Sequence, residues 1–313
     1  MSVVASIQYV QVVGKDIYFL SLQKDLVLIF SLFLILRFSK VSEIFCLMEK
    51  IVSKSNGYEC KSPVVMGIVN VTPDSFFSGS RCESEEVLLE KVAIHINNGA
   101  SIIDVGACST RPGSTAVSEE EEMDRLLPAV VAIRKKYPDV LISVDTFRGE
   151  VAKRAVEECG ADIINDVYAF DRDEKMLEVV AQLNVPYILM HYGEVEGDVV
   201  ASVRAFFEKK LRILHDKGVK EIILDPGYGF GKTMEQNFEL LSRQAELKSL
   251  DLPILAGLSR KRMVWQTLGC TPETALNGTT VLNVVALQQG ASILRVHDSR
   301  EAYEAIQLVK LCC

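Results

Sequence analysis

Residues Glu221–Thr233 read E-I-I-L-D-P-G-Y-G-F-G-K-T. The stretch opens on a short apolar run, Ile222–Leu224, of the kind a buried parallel strand carries. It then breaks into Asp225, Pro226 and glycines at alternate positions, which let a backbone take positive φ and approach a ligand. Two phosphate-loop readings fail on single residues. A Walker loop ending at Lys232–Thr233 needs glycine at 226, where the chain has Pro226, and a dinucleotide fingerprint from Gly227 needs glycine at 232, where it has Lys232. What is left is a strand whose C-terminal end carries an aspartate, the place where parallel α/β folds put their ligands.

Working outward, the same pattern repeats. From Pro63 onward, apolar runs of four to six residues alternate with stretches of helical spacing. The runs are Val64–Val69, Ser101–Val105, Leu141–Val144, Ile163–Asn165, Tyr187–Met190, Glu221–Leu224, Pro253–Ala256 and Ile293–Val296. Helices are expected over Glu85–Asn98, Glu119–Tyr137, Gly149–Cys159, Glu174–Leu183, Val199–Lys217, Glu235–Leu247, Thr274–Gln289 and Arg300–Leu311. Ser118 is placed to cap the second of these, with Glu121 at the capping-box position. Gly99, Gly160, Gly218 and Gly290 each follow a helical run, as C′ glycines do. Eight strand–helix units over roughly 250 residues predict an α/β protein of the closed (β/α)₈ barrel class, spanning residues 63–313. An open doubly wound sheet is the structural alternative.

Residues 1–62 are expected to be a non-barrel N-terminal extension. Its apolar run Leu26–Leu36 is too short for a membrane span of about 20 residues, and lengthening it upstream takes in Lys24 and Asp25. A membrane-associating segment, a docked helix, or a start site assigned too early with Met48 as the true start are the three readings; the last is preferred. A formal net charge of −8 argues against nucleic acid as a partner, and a membrane partner is not expected. Eight scattered cysteines with no C-x-x-C pair suggest reduced thiols and a cytoplasmic setting.

In a (β/α)₈ barrel the strand C-termini form the catalytic face. Here they are polar throughout: Asn70, Asp104, Asp145–Thr146, Asn165–Asp166, Met190–His191, Asp225, the segment Ser259–Arg262, and Arg295 to His297. Stability alone does not call for eight strands converging in this way. Asp145, Asn165 and Asp225 make a side that suits a heterocycle with amidine-like N–H donors and a carbonyl. Arg111, Lys261, Arg295 and His297 make a cationic side that suits a phosphate or diphosphate. Together they point to group transfer with a phosphate leaving group.

The motifs M-G-I-V-N-V-T-P-D-S-F (Met66–Phe76), S-T-R-P-G (Ser109–Gly113), D-P-G-Y-G-F-G-K (Asp225–Lys232), S-R-K (Ser259–Lys261) and R-V-H-D (Arg295–Asp298), in this order, closely resemble dihydropteroate synthase. The resemblance implies a barrel enzyme of folate biosynthesis that joins p-aminobenzoate to 7,8-dihydropterin-6-ylmethyl diphosphate, releases pyrophosphate, uses Mg²⁺, pairs as a homodimer, and is a sulfonamide target. It implies that Asp145, Asn165, Asp225 and Lys261 bind the pterin, and that Asn70, Arg295 and His297 bind the diphosphate, with Asn70 at the metal. It places Thr110, Pro112, Phe230, Lys261 and Ser259 around p-aminobenzoate. Asp74, Arg111 and Lys261 are the expected catalytic residues, the first two on mobile loops. Family behaviour also implies C–O cleavage ahead of amine attack. Three departures stand out: Cys108 where many members carry a carboxylate, an altered first loop over Phe77–Cys82, and Met190–His191–Tyr192–Gly193 without the usual glutamine. A methyltetrahydrofolate-binding methyltransferase domain and a catalytically silent pterin binder are the rivals. Neither needs the full set of Asp74, Arg111, Lys261, Arg295 and His297.

Overall fold

The eight apolar runs fold as eight parallel strands in a computed structural model, which describes residues 11–13, 16–18, 50–52, 59–61, 63–71, 81–107 and 117–312. The strands are β1 (Val64–Asn70), β2 (Ala100–Gly106), β3 (Leu141–Asp145), β4 (Ile163–Asp166), β5 (Tyr187–Met190), β6 (Ile222–Asp225), β7 (Leu255–Ala256) and β8 (Ile293–Val296). Each is followed by a helix: α1 (Arg81–Asn97), α2 (Glu119–Lys136), α3 (Gly149–Glu157), α4 (Glu174–Leu183), α5 (Val199–Asp216), α6 (Met234–Ser242), α7 (Leu276–Gln288) and α8 (Ser299–Cys312). Strands pair in sequence order, and β8 pairs with β1. The ring closes between β6 and β7, where Leu224 bridges Ile254 and the Leu224 N–H donates to Pro253 O at 2.8 Å. This is the (β/α)₈ barrel rather than the open sheet.

Two boundaries differ from expectation for physical reasons. The run Pro253–Ala256 gives only a two-residue strand. Pro253 has no N–H for the ladder and contributes its carbonyl alone. The helix expected over Glu235–Leu247 ends at Ser242, and a 3₁₀ turn, Gln244–Leu250, follows. The break turns the buried Gln244 inward, where its Oε1 accepts from Tyr228 Oη at 2.8 Å and its amide donates to Ala286 O at 3.3 Å. α1 also begins earlier than expected, so Arg81 and Cys82 belong to its first turn rather than to the preceding loop.

Other boundary signals hold. Ser118 Oγ accepts from the Glu121 N–H at 3.1 Å, while the Glu121 carboxylate pairs with Arg125. Gly99, Gly160, Gly218 and Gly290 all take positive φ past helix ends. His95 is buried in helix packing, and Gly67 has no Cβ because one would lie 2.6 Å from its ring. Its Nε2–H donates to Ile68 O at 3.2 Å, so Nδ1 accepts from Ser299 Oγ at 2.6 Å. Burial holds the ring's pKa below the usual histidine value.

One aliphatic cluster takes residues from every strand: Val64, Met66, Ile102, Leu141, Ile163, Ile188, Ile223, Leu255 and Ile293. Side chains alternate across a strand, so positions two and four residues further on share the cluster's face, one and two layers nearer the strand C-termini. Among those positions are Asn70, Asp104, Asp145, Asn165, Asp225, Arg295 and His297. The apolar layer therefore ends in a polar one, and the same alternation builds both.

Residues 48–312 form one compact unit. It includes an antiparallel pair, Lys50–Val52 with Glu59–Lys61, that lies outside the barrel sheet. The remaining unit covers residues 1–47 and contains the antiparallel pair Gln11–Val13 with Asp16–Tyr18. The run Leu26–Leu36 lies outside the described residues. Among the described residues, no helix is long and apolar enough to cross a membrane.

Candidate active site

Arg295, on β8, reaches across the barrel mouth. Its Nε donates to Asp104 Oδ2 at 2.7 Å, and its Nη2 lies 2.6 Å from Asp104 Oδ2 and 2.6 Å from Asp145 Oδ2. Asp104 also accepts from Asn165 Nδ2 at 3.2 Å. A single guanidinium shared by the buried Asp104 carboxylate and the partly exposed Asp145 carboxylate leaves one negative charge in excess. Asp145 responds: burial, opposed by Arg295 and reinforced by Asp104, pushes its pKa up to about 7. Arg295 itself is driven further toward the charged form by Asp104 and Asp145, against the cost of its own burial. Asn70, at the end of β1, is exposed, and its Oδ1 faces the same point beside Gly106 as the Asp145 carboxyl carbon.

The loop after β6 carries the second half of the site. Asp225 is buried and its Oδ1 accepts from the Gly227 N–H at 2.8 Å. Burial raises its pKa, with Lys261 as the largest opposing influence. Gly227 (φ 67°) and Gly231 (φ 73°) cannot be replaced, because a Cβ at the first would lie 1.8 Å from His191 O and at the second 2.2 Å from the Gly193 carbonyl carbon. The loop thus lies directly on the segment after β5. Phe230 is turned toward Lys261, whose Nζ sits 4.7 Å from its ring centroid.

After β7, Arg260 takes a left-handed φ of 54°, a conformation that costs a non-glycine residue about 1 kcal/mol. It is held there by a bidentate pair with Asp298 at 2.9 and 2.8 Å and by the carbonyls of Pro272 and Glu273. With Arg260 turned outward, its neighbours turn in. Ser259 Oγ accepts from the His297 N–H at 3.2 Å and lies 3.1 Å from its Nδ1. Lys261 Nζ donates to Tyr228 O, and burial lowers its pKa to about 8 although Asp225 pulls the other way.

Asn70, Asp145, Asn165, Asp225, Phe230, Ser259, Lys261, Arg295 and His297 are therefore all on the strand-end face or its loops, as the sequence predicts. The expected separation into an acidic and a cationic side does not hold, because Arg295 is clasped by the carboxylates. Asp74, Thr110, Arg111, Pro112, Cys108 and Phe77 lie outside the described residues. Sequence reading named Asp104 as a strand end but gave it no role; its place two residues after a core isoleucine on the same face was the available signal. It also passed over Lys232 and His191, whose Nζ and Nδ1 are 2.8 Å apart. No sequence spacing marks that contact.

The chain is similar in sequence and fold to known proteins. The family described as "Pterin binding enzyme" matches residues 66–297. The dihydropteroate synthase of Clostridium beijerinckii is 41% identical over 256 residues, covering 79% of this chain and 93% of the relative. That of Escherichia coli strain K12 is 39% identical over 272 residues, covering 83% and 95%. A solved structure of the Xanthomonas albilineans dihydropteroate synthase with 4-aminobenzoic acid is similar with a TM-score of 0.78 and 37% identity, covering 84% of this chain and 98% of that one.

Proposed function

This chain belongs to the dihydropteroate synthase family of pterin-binding enzymes, and on that premise we propose how its residues divide the work. The reaction is a group transfer of folate synthesis: p-aminobenzoate displaces pyrophosphate from 7,8-dihydropterin-6-ylmethyl diphosphate. The methyltransferase-type and silent-binder readings find no support among relatives that carry the synthase name over almost their whole length.

Asp145, Asn165 and Asp225 hold the pterin ring, pairing carboxylate and amide oxygens with its N–H edge. Lys261 lies beside Asp225 and takes the ring's acceptor edge. Arg295, His297 and Asn70 hold the diphosphate. Phe230, Ser259 and Lys261 wall the p-aminobenzoate subsite, completed by Thr110 and Pro112. The one observation that carries this division is Arg295 held by Asp104 and Asp145, which puts an always-charged guanidinium next to the heterocycle's carboxylate.

The bond that breaks joins the pterin methylene carbon to the diphosphate oxygen, and its electron pair leaves with pyrophosphate. The arylamine nitrogen then bonds to that carbon and releases its proton. An arylamine needs no strong base, and the work is electrostatic: cations stabilise the leaving group, carboxylates the developing positive charge. Asp74 and Arg111 complete the catalytic set. Asn70 Oδ1 and the Asp145 carboxyl both lie near one point beside Gly106, and these oxygens would suit Mg²⁺, which is usually held by one or two protein oxygens with substrate phosphates and water. When bound, it would neutralise diphosphate charge.

Pairing of two copies is supported by exposed apolar side chains on α7 and α8, among them Val281, Tyr303, Leu308 and Leu311. A cytoplasmic setting is supported by the unpaired thiols Cys159, Cys270 and Cys312. The test of the function is incubation of the purified protein with both substrates and Mg²⁺. Dihydropteroate detected by mass spectrometry supports it, and unchanged substrates refute it.

A further inference from the structure

Three glycines in left-handed conformation, Gly227, Gly229 and Gly231 (φ 67°, 81° and 73°), make the loop after β6 conformationally cheap to distort. Something must hold it. Tyr228 is anchored from behind by Gln244, and the Gly229 N–H donates to Asn237 Oδ1 at 2.7 Å. The carbonyls around Phe230 are held by Lys232. Its ammonium donates to Gly227 O at 2.9 Å, to Phe230 O at 3.3 Å and to His191 Nδ1 at 2.8 Å. Burial lowers the pKa of Lys232 to about 7, opposed by Asp225; in its protonated form it has three N–H donors, and these contacts commit all of them.

His191 is built as a fixed acceptor. It is buried, lies edge-on to Phe206 at 4.8 Å, and its backbone N–H donates to Asp225 O at 2.9 Å. Burial and the facing Lys232 hold its pKa down at about 3, so the ring is neutral and Nδ1 offers a lone pair. Two lysines thus share the inward carbonyls of one loop: Lys261 takes Tyr228 O, and Lys232 takes the two on either side. The alternating glycines that resemble a phosphate cradle in sequence instead present oxygens to cations.

We propose that Lys232 is a positioning residue for the second substrate, fixing the loop so that Phe230 and Lys261 stand at the right separation to wall the p-aminobenzoate subsite. The inference rests on the assignment of that subsite above. The pterin contacts Asp145, Asn165 and Asp225 are on strands, whereas Phe230 is on the loop itself and serves only the second substrate, so the larger effect falls on p-aminobenzoate. Lys232→Met removes all three donors, and Lys232→Gln keeps two N–H donors on a shorter arm.

The experiment measures KM for p-aminobenzoate and the equilibrium affinity for the pterin diphosphate in the wild type and both variants. The expected result is a KM raised about tenfold or more in Lys232→Met, a smaller rise in Lys232→Gln, and pterin affinity within about threefold of wild type in both. An unchanged KM in folded Lys232→Met overturns the proposal, as does a parallel loss of both substrates. If Lys232→Met does not fold, Lys232→Gln decides alone: a raised KM with pterin affinity kept supports the proposal, and an unchanged KM overturns it. A wild type without synthase turnover removes the functional reading and the inference with it, whereas a working wild type with unaffected variants removes the inference only.

Discussion

Arg295 and Asp104 stand 191 positions apart in the chain, yet Nε and Nη2 of the arginine lie 2.7 and 2.6 Å from one carboxylate oxygen of the aspartate. Asp104 is fully buried, while the Arg295 side chain keeps 21% of its surface exposed. Removing Asp104 leaves Arg295 with Asp145 alone and takes a buried acceptor from both Arg295 and Asn165. Asp104→Ala is expected to cost about 3 kcal/mol of unfolding free energy, read from a urea titration, and to raise KM for the pterin diphosphate. Asp104→Asn, which keeps an acceptor oxygen, should cost less. Equal stability of Asp104→Ala and wild type would contradict the role given to the pair.

Asp225 has a narrower task. Its Oδ1 is used by the loop's own Gly227 N–H, and Oδ2 is the oxygen left for a ligand. Asp225→Ala should abolish pterin binding by calorimetry while the circular dichroism of the barrel is unchanged. A retained pterin affinity would remove Asp225 from the pterin pocket.

Arg111 is expected to act in turnover rather than in pterin binding. Arg111→Ala should leave pterin binding near wild type and lower turnover by about 10²-fold or more. Turnover at the wild-type rate in a stopped assay would exclude that role.

The pH dependence follows from two opposed shifts. Asp145 is held up at about 7 and must be ionised to accept from the pterin, so activity falls as pH drops through 7. Lys261 is lowered to about 8 and must keep its proton to serve as a donor, so activity falls as pH rises through 8. The profile of turnover should be a bell with limbs near those values. Asp145→Asn should remove the acid limb, and Lys261→Arg should move the alkaline limb upward. Stability carries the matching sign. Asp145 is protonated in both states below 3.8, its unfolded reference. Between there and about 7 the folded state alone holds the proton, so its contribution to stability is lost as pH rises through that window. Urea titrations of wild type and Asp145→Asn across it check this.

How far the sequence reveals this site depends on which force fixes each residue. Strand-end residues such as Asp145, Asn165, Asp225 and Arg295 are legible because the two-residue alternation that sorts the barrel's aliphatic side chains also sorts them. Asp104 obeys the same alternation, but its value comes from Arg295, and a contact across 191 residues leaves no local pattern. The acidic and cationic groups were therefore legible as residues, while their interleaving was not. Lys232 illustrates the opposite limit. In sequence it ends a glycine-rich run and reads as a failed phosphate loop; only the left-handed glycines, which turn carbonyls inward, make it a clamp. The end of α6 at Ser242 was hidden for a similar reason, since it depends on Gln244 reaching Tyr228 rather than on local propensity.

The central claim is that this barrel transfers a dihydropterin-6-ylmethyl group from diphosphate to an arylamine. The most direct test is pyrophosphate release by the purified protein with 7,8-dihydropterin-6-ylmethyl diphosphate, Mg²⁺ and p-aminobenzoate, each omitted in turn. The account predicts release that needs every component and is matched by dihydropteroate formed. Bound pterin with no pyrophosphate released under the full mixture would contradict it.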